Sequence, residues 1–398
     1  MLRRTTSDIR RANRLDVLRR IYAAGSASRQ DIARRSELSF ATIANVVNDL
    51  LGAGVIVEDH FVGSGSGRPR AVLTPNGVRG LLVGVDVAET YVHAELFDLA
   101  LRRLHAGEHP IGPETRRPAE IAERIARAID ALLAEHGAAR ERVLGVGVSV
   151  PGQVAPQLGV SVFAPGWDWH DVPMLALLQE RIGLPLYLDN PLMAGTVAEL
   201  WSGAGREAGN LVCVTVGTGV GAGVVIGGSL YRGTTDAAGE WGHSVLVYGG
   251  RACRCGSRGC VEAYVGAPGI METLRELDPG SELLCGGDQT ACVQALADSP
   301  DAGPVITRTA GLLGAALAGL VNIINPETVV LSSWVARSLG PRLLPELRES
   351  VAAHALDRAM GAVRIVLSDI PGNAVSLGAA TFALEGFLDA VISPGRRT

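Results

Sequence analysis

Three of the chain's six cysteines are crowded into one short segment, and this clustering constrains the fold more than any other sequence feature. Cys253, Cys255 and Cys260 lie within eight residues of each other, and His243 precedes the first of them by ten. Three thiolates and one imidazole form the ligand set of a closed tetrahedral zinc site, which leaves no coordination position open for catalysis. We therefore predict a structural Zn²⁺ ion here, with a chance cluster of buried cysteines as the alternative.

The glycines and the remaining cysteines agree with a metal-binding turn rather than a disulfide framework. Gly256 and Gly259 stand where a tight metal-binding turn needs residues without a side chain. Cys213, Cys285 and Cys292 are isolated among apolar or small residues. Isolated thiols of this kind do not form the regular pairs of a disulfide-stabilised secreted domain.

Charge is distributed unevenly along the chain. The formal net charge is −5, yet the first 35 residues contain ten arginines against three aspartates. A basic end on an acidic chain is typical of a DNA-binding module joined to a domain with another task. Charge alone would also fit an arginine-rich solvated surface.

The first fifty residues carry the spacing of three helices. Apolar residues at three- and four-residue intervals predict a first helix over about 13–24. Ser28 and Asp31 resemble a capping box and open a short second helix. A third helix is expected over about 40–51, with Ser39 as its N-cap. Helix, tight turn and helix in this order indicate a helix-turn-helix, although helical hairpins of this size also occur in proteins that bind no DNA.

The third helix presents polar side chains opposite its apolar stripe, as a recognition helix in a DNA major groove requires. Strand-like residues 55–58 and 71–73 flank a glycine- and serine-rich tip that carries two arginines, which predicts a basic wing. A plain linker is the alternative for this tip. The predicted DNA-binding residues are Ser39, Thr42, Asn45, Asn48, Arg68 and Arg70.

The pattern changes after this module to alternating apolar strands and amphipathic helices. Strands are predicted over 81–87, 91–99, 143–150, 211–216 and 223–226, with a helix marked by Ile121, Ile125, Ile129 and Leu132. Two α/β lobes facing a cleft are the expected architecture. We predict a winged helix-turn-helix domain over 1–76 and an effector domain over 77–398.

The segment Gly239-Glu240-Trp241-Gly242-His243, followed by the run from Cys253 to Tyr264, resembles the ROK family (repressors, open reading frames and kinases). The resemblance extends over about residues 13–384. It implies an α/β, actin-like (ribonuclease H-like) two-lobed sugar-kinase fold, here preceded by an α+β winged helix-turn-helix domain. It also places the zinc-binding segment, at about 243–262, in support of a sugar pocket.

Carried over by motif position, the resemblance implies five sugar-binding residues: Gly152, Asn190, Glu240, His243 and Glu262. Carboxylate and amide groups suit a polyol, because each hydroxyl buried without a partner costs about 1–3 kcal/mol. A second possibility is that Glu240 and Glu262 only orient the zinc ligands.

Three departures from the family's kinases argue against phosphate transfer. Pro191 follows Asn190 where the kinases carry the Asp that accepts the proton of the sugar hydroxyl. The first phosphate loop reads Asp-Val-Ala-Glu-Thr over 86–90, without the family's glycines, and Ser-Ser-Trp over 332–334 replaces glycines expected against adenosine. The glycine-rich second loop, 215–223, is kept.

The expectation is therefore a transcription regulator, a repressor, that is not an enzyme. It would be a cytoplasmic homodimer or dimer of dimers that binds double-stranded operator DNA and a sugar or sugar derivative. We predict no membrane association, because the sequence has neither a long uninterrupted apolar stretch nor a signal-peptide pattern. Two alternatives remain: an active ATP-dependent ROK sugar kinase with an appended DNA-binding domain, and a regulator that has lost sugar binding.

Overall fold

The computed structural model of the chain describes residues 5–62, 70–112 and 116–392. The chain forms two compact units, one made of residues 1–202 with 373–398 and the other of residues 203–372. The domain boundary predicted near residue 76 falls inside the first unit and stays a prediction.

Helices and strands alternate through most of the described residues. The helices are α1 Thr6–Ala24, α2 Arg29–Arg35, α3 Phe40–Gly52, α4 Pro118–His136, α5 Met174–Gln179, α6 Pro191–Trp201, α7 Glu262–Val265, α8 Ala267–Leu277, α9 Gln289–Asp298, α10 Gly303–Ile324, α11 Trp334–His354, α12 Asp357–Met360 and α13 Ala374–Ile392. The strands are β1 Ala27–Ser28, β2 Ile56–Val62, β3 Arg70–Pro75, β4 Leu81–Val87, β5 Tyr91–Asp98, β6 Arg103–Pro110, β7 Val143–Ser149, β8 Gln153–Ala155, β9 Val160–Ala164, β10 Trp169–Val172, β11 Leu186–Asp189, β12 Leu211–Val216, β13 Val220–Ile226, β14 Ser229–Tyr231, β15 Thr328–Ser332 and β16 Arg364–Leu367.

The N-terminal module consists of α1–α3 and a small sheet in the order β1-β3-β2. Ser28 and Asp31 form the expected capping box of α2, and the Ser39 side chain caps α3. The first helix begins at Thr6 rather than near residue 13, because Thr5 and Asp8 form a second capping box further upstream. The core of the N-terminal module contains five fully buried residues: Leu18, Ile21, Ile43, Val47 and Leu73.

The main sheet of the first unit has the order β11-β7-β4-β5-β6, with β11, β7 and β4 parallel to one another. Alternate residues of β4 face opposite sides, so valines pack against α4 while Gly84 faces α13. A Cβ atom at Gly84 would lie 1.8 Å from the Ser376 carbonyl oxygen, and one at Gly147 would lie 1.8 Å from that of Ala379. The backbone of α13 therefore rests directly on the sheet.

The second unit is built on a sheet in the order β14-β13-β12-β15-β16. Strands β12, β15 and β16 run parallel, whereas β13 and β14 are antiparallel. Residues of α8, α10 and α11 form one buried apolar cluster with β12. This scaffold holds the glycine turn between β12 and β13 and, on the residues that follow β14, the cysteine cluster.

Two helical segments of the described residues, Pro300–Ile324 and Ala374–Ile392, are long and apolar enough to cross a membrane. About half of each apolar window is buried inside the protein (50% and 56%), as in the core helices of globular proteins. Length and composition are thus weak evidence for a membrane span here.

Candidate functional site

The predicted recognition helix is α3, and its polar residues lie outward as expected. The Ser39 hydroxyl accepts a hydrogen bond from the Thr42 backbone N–H at 3.1 Å and contacts the Thr42 hydroxyl at 2.9 Å. Asn45 and Asn48 are exposed. Asn48 is held by Arg29, whose guanidinium lies 3.5 Å from the amide oxygen. These four side chains remain predicted DNA contacts.

The wing is only partly visible. Arg70 opens β3 and is half-buried. Arg68 lies outside the described residues, so its predicted role has no structural counterpart here.

The His243, Cys253, Cys255 and Cys260 side chains converge in the second unit. Their four ligand atoms all lie within 4.8 Å of one another, with Cys255 Sγ 3.8 Å from Cys260 Sγ and Cys253 Sγ 3.6 Å from His243 Nδ1. Thiolate sulfurs bound at about 2.3 Å to a tetrahedral ion are separated by about 3.8 Å, so the cluster has the dimensions of a metal site. Gly256 and Gly259 have φ of 88° and 79°, which favours glycine at both turns.

The two nitrogens of His243 face different surroundings. Nδ1 lies on the cysteine side, while Nε2 is 3.9 Å from the Glu240 carboxylate. One imidazole can therefore hold a metal through Nδ1 and keep Nε2 for a carboxylate or a ligand hydroxyl. This geometry is compatible with the double role predicted for His243.

Glu262 is paired in a way that the sequence did not reveal. Its carboxylate is only 6% exposed and accepts hydrogen bonds from Arg254 Nε at 2.8 Å and from the second Arg254 nitrogen at 3.2 Å. The backbone N–H of Val220 donates to the same carboxylate at 3.0 Å. Arg254 stands between two of the cysteines, so its pairing depends on how that segment folds.

The glycine turn between β12 and β13 is covered by side chains of its own unit. A Cβ atom at Gly217 would lie 3.0 Å from the Ser333 hydroxyl and 3.1 Å from the Trp334 indole nitrogen. One at Gly219 would lie 2.6 Å from the Arg254 guanidinium. Ser333 has φ 82° and ψ 176°, a region that is essentially restricted to glycine. The backbone at Ser333 thus has a glycine-type conformation, although this chain carries a serine there.

Gly152 and Asn190, the other predicted sugar contacts, belong to the first unit. Gly152 has φ 87°, and a Cβ atom there would lie 2.3 Å from the Phe163 carbonyl oxygen, so packing alone already requires glycine. Asn190 caps α6, its side-chain oxygen accepting from the Met193 N–H at 2.9 Å. Its amide nitrogen is the group that remains to donate to a ligand.

Pro191 occupies the first position of α6, which suits proline and supplies no carboxylate. Asp189, its neighbour two residues earlier, is 3% exposed, and its Oδ1 accepts from the Asn190 N–H at 2.8 Å. Asp189 is therefore engaged with its own backbone.

Ser149 is a residue of this region that sequence reasoning missed. It pairs in register with Asp86 on one side and Asp189 on the other, at the carboxyl ends of β4, β7 and β11. Ligands of open parallel sheets bind at such ends. Its hydroxyl is buried and lacks a hydrogen-bond partner within the described residues, whereas most buried hydroxyls have one.

The Asp86 side chain is held by two hydrogen-bond donors, one of which comes from the segment before α13. Its Oδ2 accepts from the Asn373 side-chain amide at 2.8 Å and from the Tyr91 hydroxyl at 3.5 Å. Burial raises the pKa of Asp86 above its ordinary value, although both donors favour the charged form.

An actin-like α/β scaffold with a His/Cys₃ cluster and a glycine turn defines a class shared by regulators and sugar kinases. The family model "ROK family" matches residues 82–385, and the chain belongs to the ROK family.

Individual relatives include both branches of the family. A putative xylose repressor from Caldicellulosiruptor sp. (strain Rt8B.4) is 31% identical over 396 residues, covering 96% of this chain and 97% of the relative. A glucokinase from Halalkalibacterium halodurans is 32% identical over 307 residues, covering 74% and 92%. The crystal structure of a ROK family transcriptional regulator, a homologue of the E. coli MLC protein, matches with a TM-score of 0.76 at 23% identity, covering 97% of this chain and all of that one. The repressor relatives match the N-terminal module as well, and the fold expected from the sequence is confirmed.

Proposed function

We propose that the protein is a sugar-responsive transcription repressor whose kinase-like region senses a sugar without phosphorylating it. Relatives described as xylose repressors match this chain over 96% of its length, including the helix-turn-helix module. The structural observation that carries the proposal is α6. This helix begins at a predicted sugar contact and ends on the DNA-binding module.

Asn190 is the N-cap of α6 and Trp201 is its last residue, about 16 Å away at the rise of an α-helix. The Trp201 ring is 2% exposed and meets the Tyr22 ring of α1 edge-on, with centroids 5.6 Å apart. The Tyr22 hydroxyl donates to the Leu99 carbonyl oxygen of the same unit. A ligand that moves Asn190 would thus move a residue in contact with α1.

Helix α13 makes a second connection between α6 and α1. A Cβ atom at Gly378 would lie 1.8 Å from the Ala194 carbonyl oxygen, so the backbones of α13 and α6 are in contact. Near its other end, Asp389 accepts a hydrogen bond from Arg11 of α1 at 2.7 Å, and Glu385 lies 3.3 Å from the same guanidinium. Closely packed elements shift together rather than deform. The pair α6–α13 is therefore suited to carry a displacement to α1.

The loss of phosphate transfer is supported by what replaces the kinase groups. Pro191 provides no proton acceptor, and Trp334 with Ser333 lies over Gly217 in the turn that resembles the second phosphate loop. Arg254 covers Gly219. A nucleotide phosphate would have to displace these side chains before approaching the backbone N–H groups.

The ion that fits the His/Cys₃ cluster is Zn²⁺, because zinc favours thiolate and imidazole ligands in tetrahedral geometry. Four protein ligands leave it a structural role. His243, Cys253, Cys255 and Cys260 would hold it, and it would keep Glu240 and Glu262 in place for the sugar.

We further propose a cytoplasmic homodimer or dimer of dimers that binds double-stranded operator DNA. Two recognition helices related by symmetry would read two half-sites, and the exposed arginines of the N-terminal module would pair with phosphates.

A mobility-shift titration of the full-length protein on DNA upstream of its own gene, with and without sugars, tests the proposal. Xylose and glucose are the first candidates, since relatives include xylose repressors and glucokinases. A responding sugar should change the DNA affinity at least about tenfold and raise the melting temperature of the free protein. Absence of a specific DNA complex under every sugar condition overturns it.

Asn190→Ser provides the sharpest variant, because serine keeps the helix cap while shortening the side chain. It should bind operator DNA normally and lose the sugar response. Gln157→Ala, which removes an exposed amide of the same unit, should behave as wild type.

An active sugar kinase with a DNA-binding module is the rival function, favoured by the glucokinase relatives and the retained glycine turn. A coupled ATP-consumption assay across hexoses and pentoses separates the two. Sugar-dependent turnover above the uncatalysed background would establish the kinase.

A further inference from the structure

The outward face of α3 carries an unusual set of side chains. Phe40, its first residue, is 54% exposed, and Ala41 and Asn45 are exposed as well. The apolar stripe that anchors the helix begins only at Ile43. Phe40 therefore lies beyond the buried core, at the end of the helix that enters a major groove when a helix-turn-helix binds DNA.

The composition of α3 restricts which bases it can read. In the major groove, guanine is recognised mainly by arginine or lysine, and cytosine by carboxylates. The sequence of α3, FATIANVVNDLLG, contains no arginine or lysine, and its single acid, Asp49, stands only three residues before the end of the helix. The first turns are left with a phenyl ring, methyl groups, hydroxyls and amides.

These groups are complementary to A·T pairs. Thymine presents a C5-methyl group that packs against phenylalanine or alanine, and adenine presents the N6–H₂ and N7 pair that asparagine contacts bidentately. Asn48 is partly engaged by Arg29, whereas the Asn45 side-chain amide has no hydrogen-bond partner within the described residues. Asn45 lies five residues after Phe40, about 1.4 helical turns further along α3.

We infer that α3 is a reader of A·T pairs, in which Phe40 packs on a thymine methyl group and Asn45 pairs with a neighbouring adenine. The inference rests on the proposed DNA-binding function and adds the base composition of the half-site. The exposed arginines of the module, among them Arg34 and Arg35, are left for the phosphates, which carry no sequence information.

The test begins with selection of duplexes from a random pool by the full-length protein. At each selected thymine, uracil is then substituted, which removes the C5-methyl group and leaves base pairing intact. Affinities are measured by fluorescence anisotropy at one fixed salt concentration, because phosphate contacts make them salt-dependent. Wild type should lose about fourfold in affinity at a contacted thymine, the equivalent of one buried methyl group.

Variants assign the contact to residues. Phe40→Ala should bind thymine and uracil duplexes equally, whereas Phe40→Leu should keep part of the discrimination. Asn45→Ala should keep the thymine preference and lose the roughly fivefold penalty for 7-deaza-adenine, which lacks N7. The Phe40 and Asn45 side chains are both exposed in wild type, so unchanged thermal unfolding is expected and shows that the three variants are folded.

The outcomes distinguish failure of this inference from failure of the proposed DNA-binding function. Selected half-sites that lack A·T pairs, or wild-type binding that is indifferent to uracil at every thymine, overturn the A·T assignment and leave DNA binding intact. A pool that yields no specific duplex overturns the DNA-binding function together with the inference.

Discussion

Asp86 and Glu262 are two buried carboxylates, each beside one of the turns that resemble phosphate loops of ROK kinases. They are 5% and 6% exposed. Asp86 is met by neutral donors, the Asn373 amide and the Tyr91 hydroxyl, and its pKa is raised by burial. Glu262 is met by the Arg254 guanidinium and a backbone N–H.

The turns beside these two carboxylates have departed from the family pattern in different ways. Beside Asp86 the turn has lost its glycines, and the carboxylate is stabilised by a residue 287 positions away in the sequence. Beside Glu262 the glycines remain, but a cation from the cysteine segment and Trp334 lie against them. A retained glycine turn is thus no evidence of a retained phosphate site unless the space next to it is open.

Removal of a proposed metal ligand should have the largest effect, because Arg254 lies between two cysteines of the His/Cys₃ cluster. Cys260→Ser should abolish bound zinc and lower the free energy of unfolding by on the order of 4 kcal/mol, as for other losses of a structural metal. Metal analysis and urea denaturation measure both quantities. Chelator-treated wild type should show the same loss, while Cys285→Ser, outside the cluster, should keep its metal. Full metal content in Cys260→Ser would contradict the assignment.

Arg254→Ala should come next. It leaves the buried Glu262 carboxylate without its cation, which costs about 3–5 kcal/mol for a fully buried pair. Arg254 itself is 43% exposed, so water compensates in part and about 2 kcal/mol is expected. Urea denaturation at neutral pH checks this value. Adding Glu262→Gln should recover part of the loss, and Arg258→Ala, an exposed arginine of the same segment, should cost less than about 0.5 kcal/mol. Equal losses for Arg254→Ala and Arg258→Ala would show that the pair is not stabilising.

Asp86→Asn should have the smallest effect at neutral pH, below about 1 kcal/mol, because its two hydrogen-bond donors, Asn373 and Tyr91, are neutral. The pH dependence is more informative. With its pKa raised, folded Asp86 holds a proton that the unfolded chain has lost, so its contribution to stability falls as pH rises above 3.8 through the folded pKa. The free energy of unfolding, measured by urea denaturation at pH 4–8, should therefore lack this fall in Asp86→Asn when it is compared with wild type. Asp59→Asn, which removes an exposed carboxylate, should keep the wild-type fall. If Asp86→Asn also keeps the wild-type dependence of unfolding free energy on pH, the raised pKa of Asp86 is refuted.

Features set by neighbouring residues could be predicted from the sequence. The caps at Ser28 and Ser39 and the convergence of the His/Cys₃ cluster follow from spacing within one segment. The start of α1 was wrong by about seven residues, yet the Thr5–Asp8 capping box that sets it is visible in the same way.

Features set by distant residues could not be predicted. Nothing local indicates that Trp334 lies against Gly217, or that Asn373 donates to Asp86. Arg254 and Glu262 are only eight residues apart, but their pairing depends on the turns between them. Such contacts decide whether a recognisable motif still binds its ligand, and they follow from packing rather than pattern.

The position of α13 also bears on how the protein is made. Helix α3, the predicted recognition helix, ends at Gly52, but the Asn373 amide that donates to Asp86 and the helix that rests on Gly84 and Gly147 come from residues 373–392. The first unit therefore cannot close until residues 373–392 have been synthesised, long after α3. A product that stops before residue 373 would carry the proposed DNA-binding module without the helix whose Asp389 accepts a hydrogen bond from Arg11 of α1, so we expect it to lose the proposed sugar response.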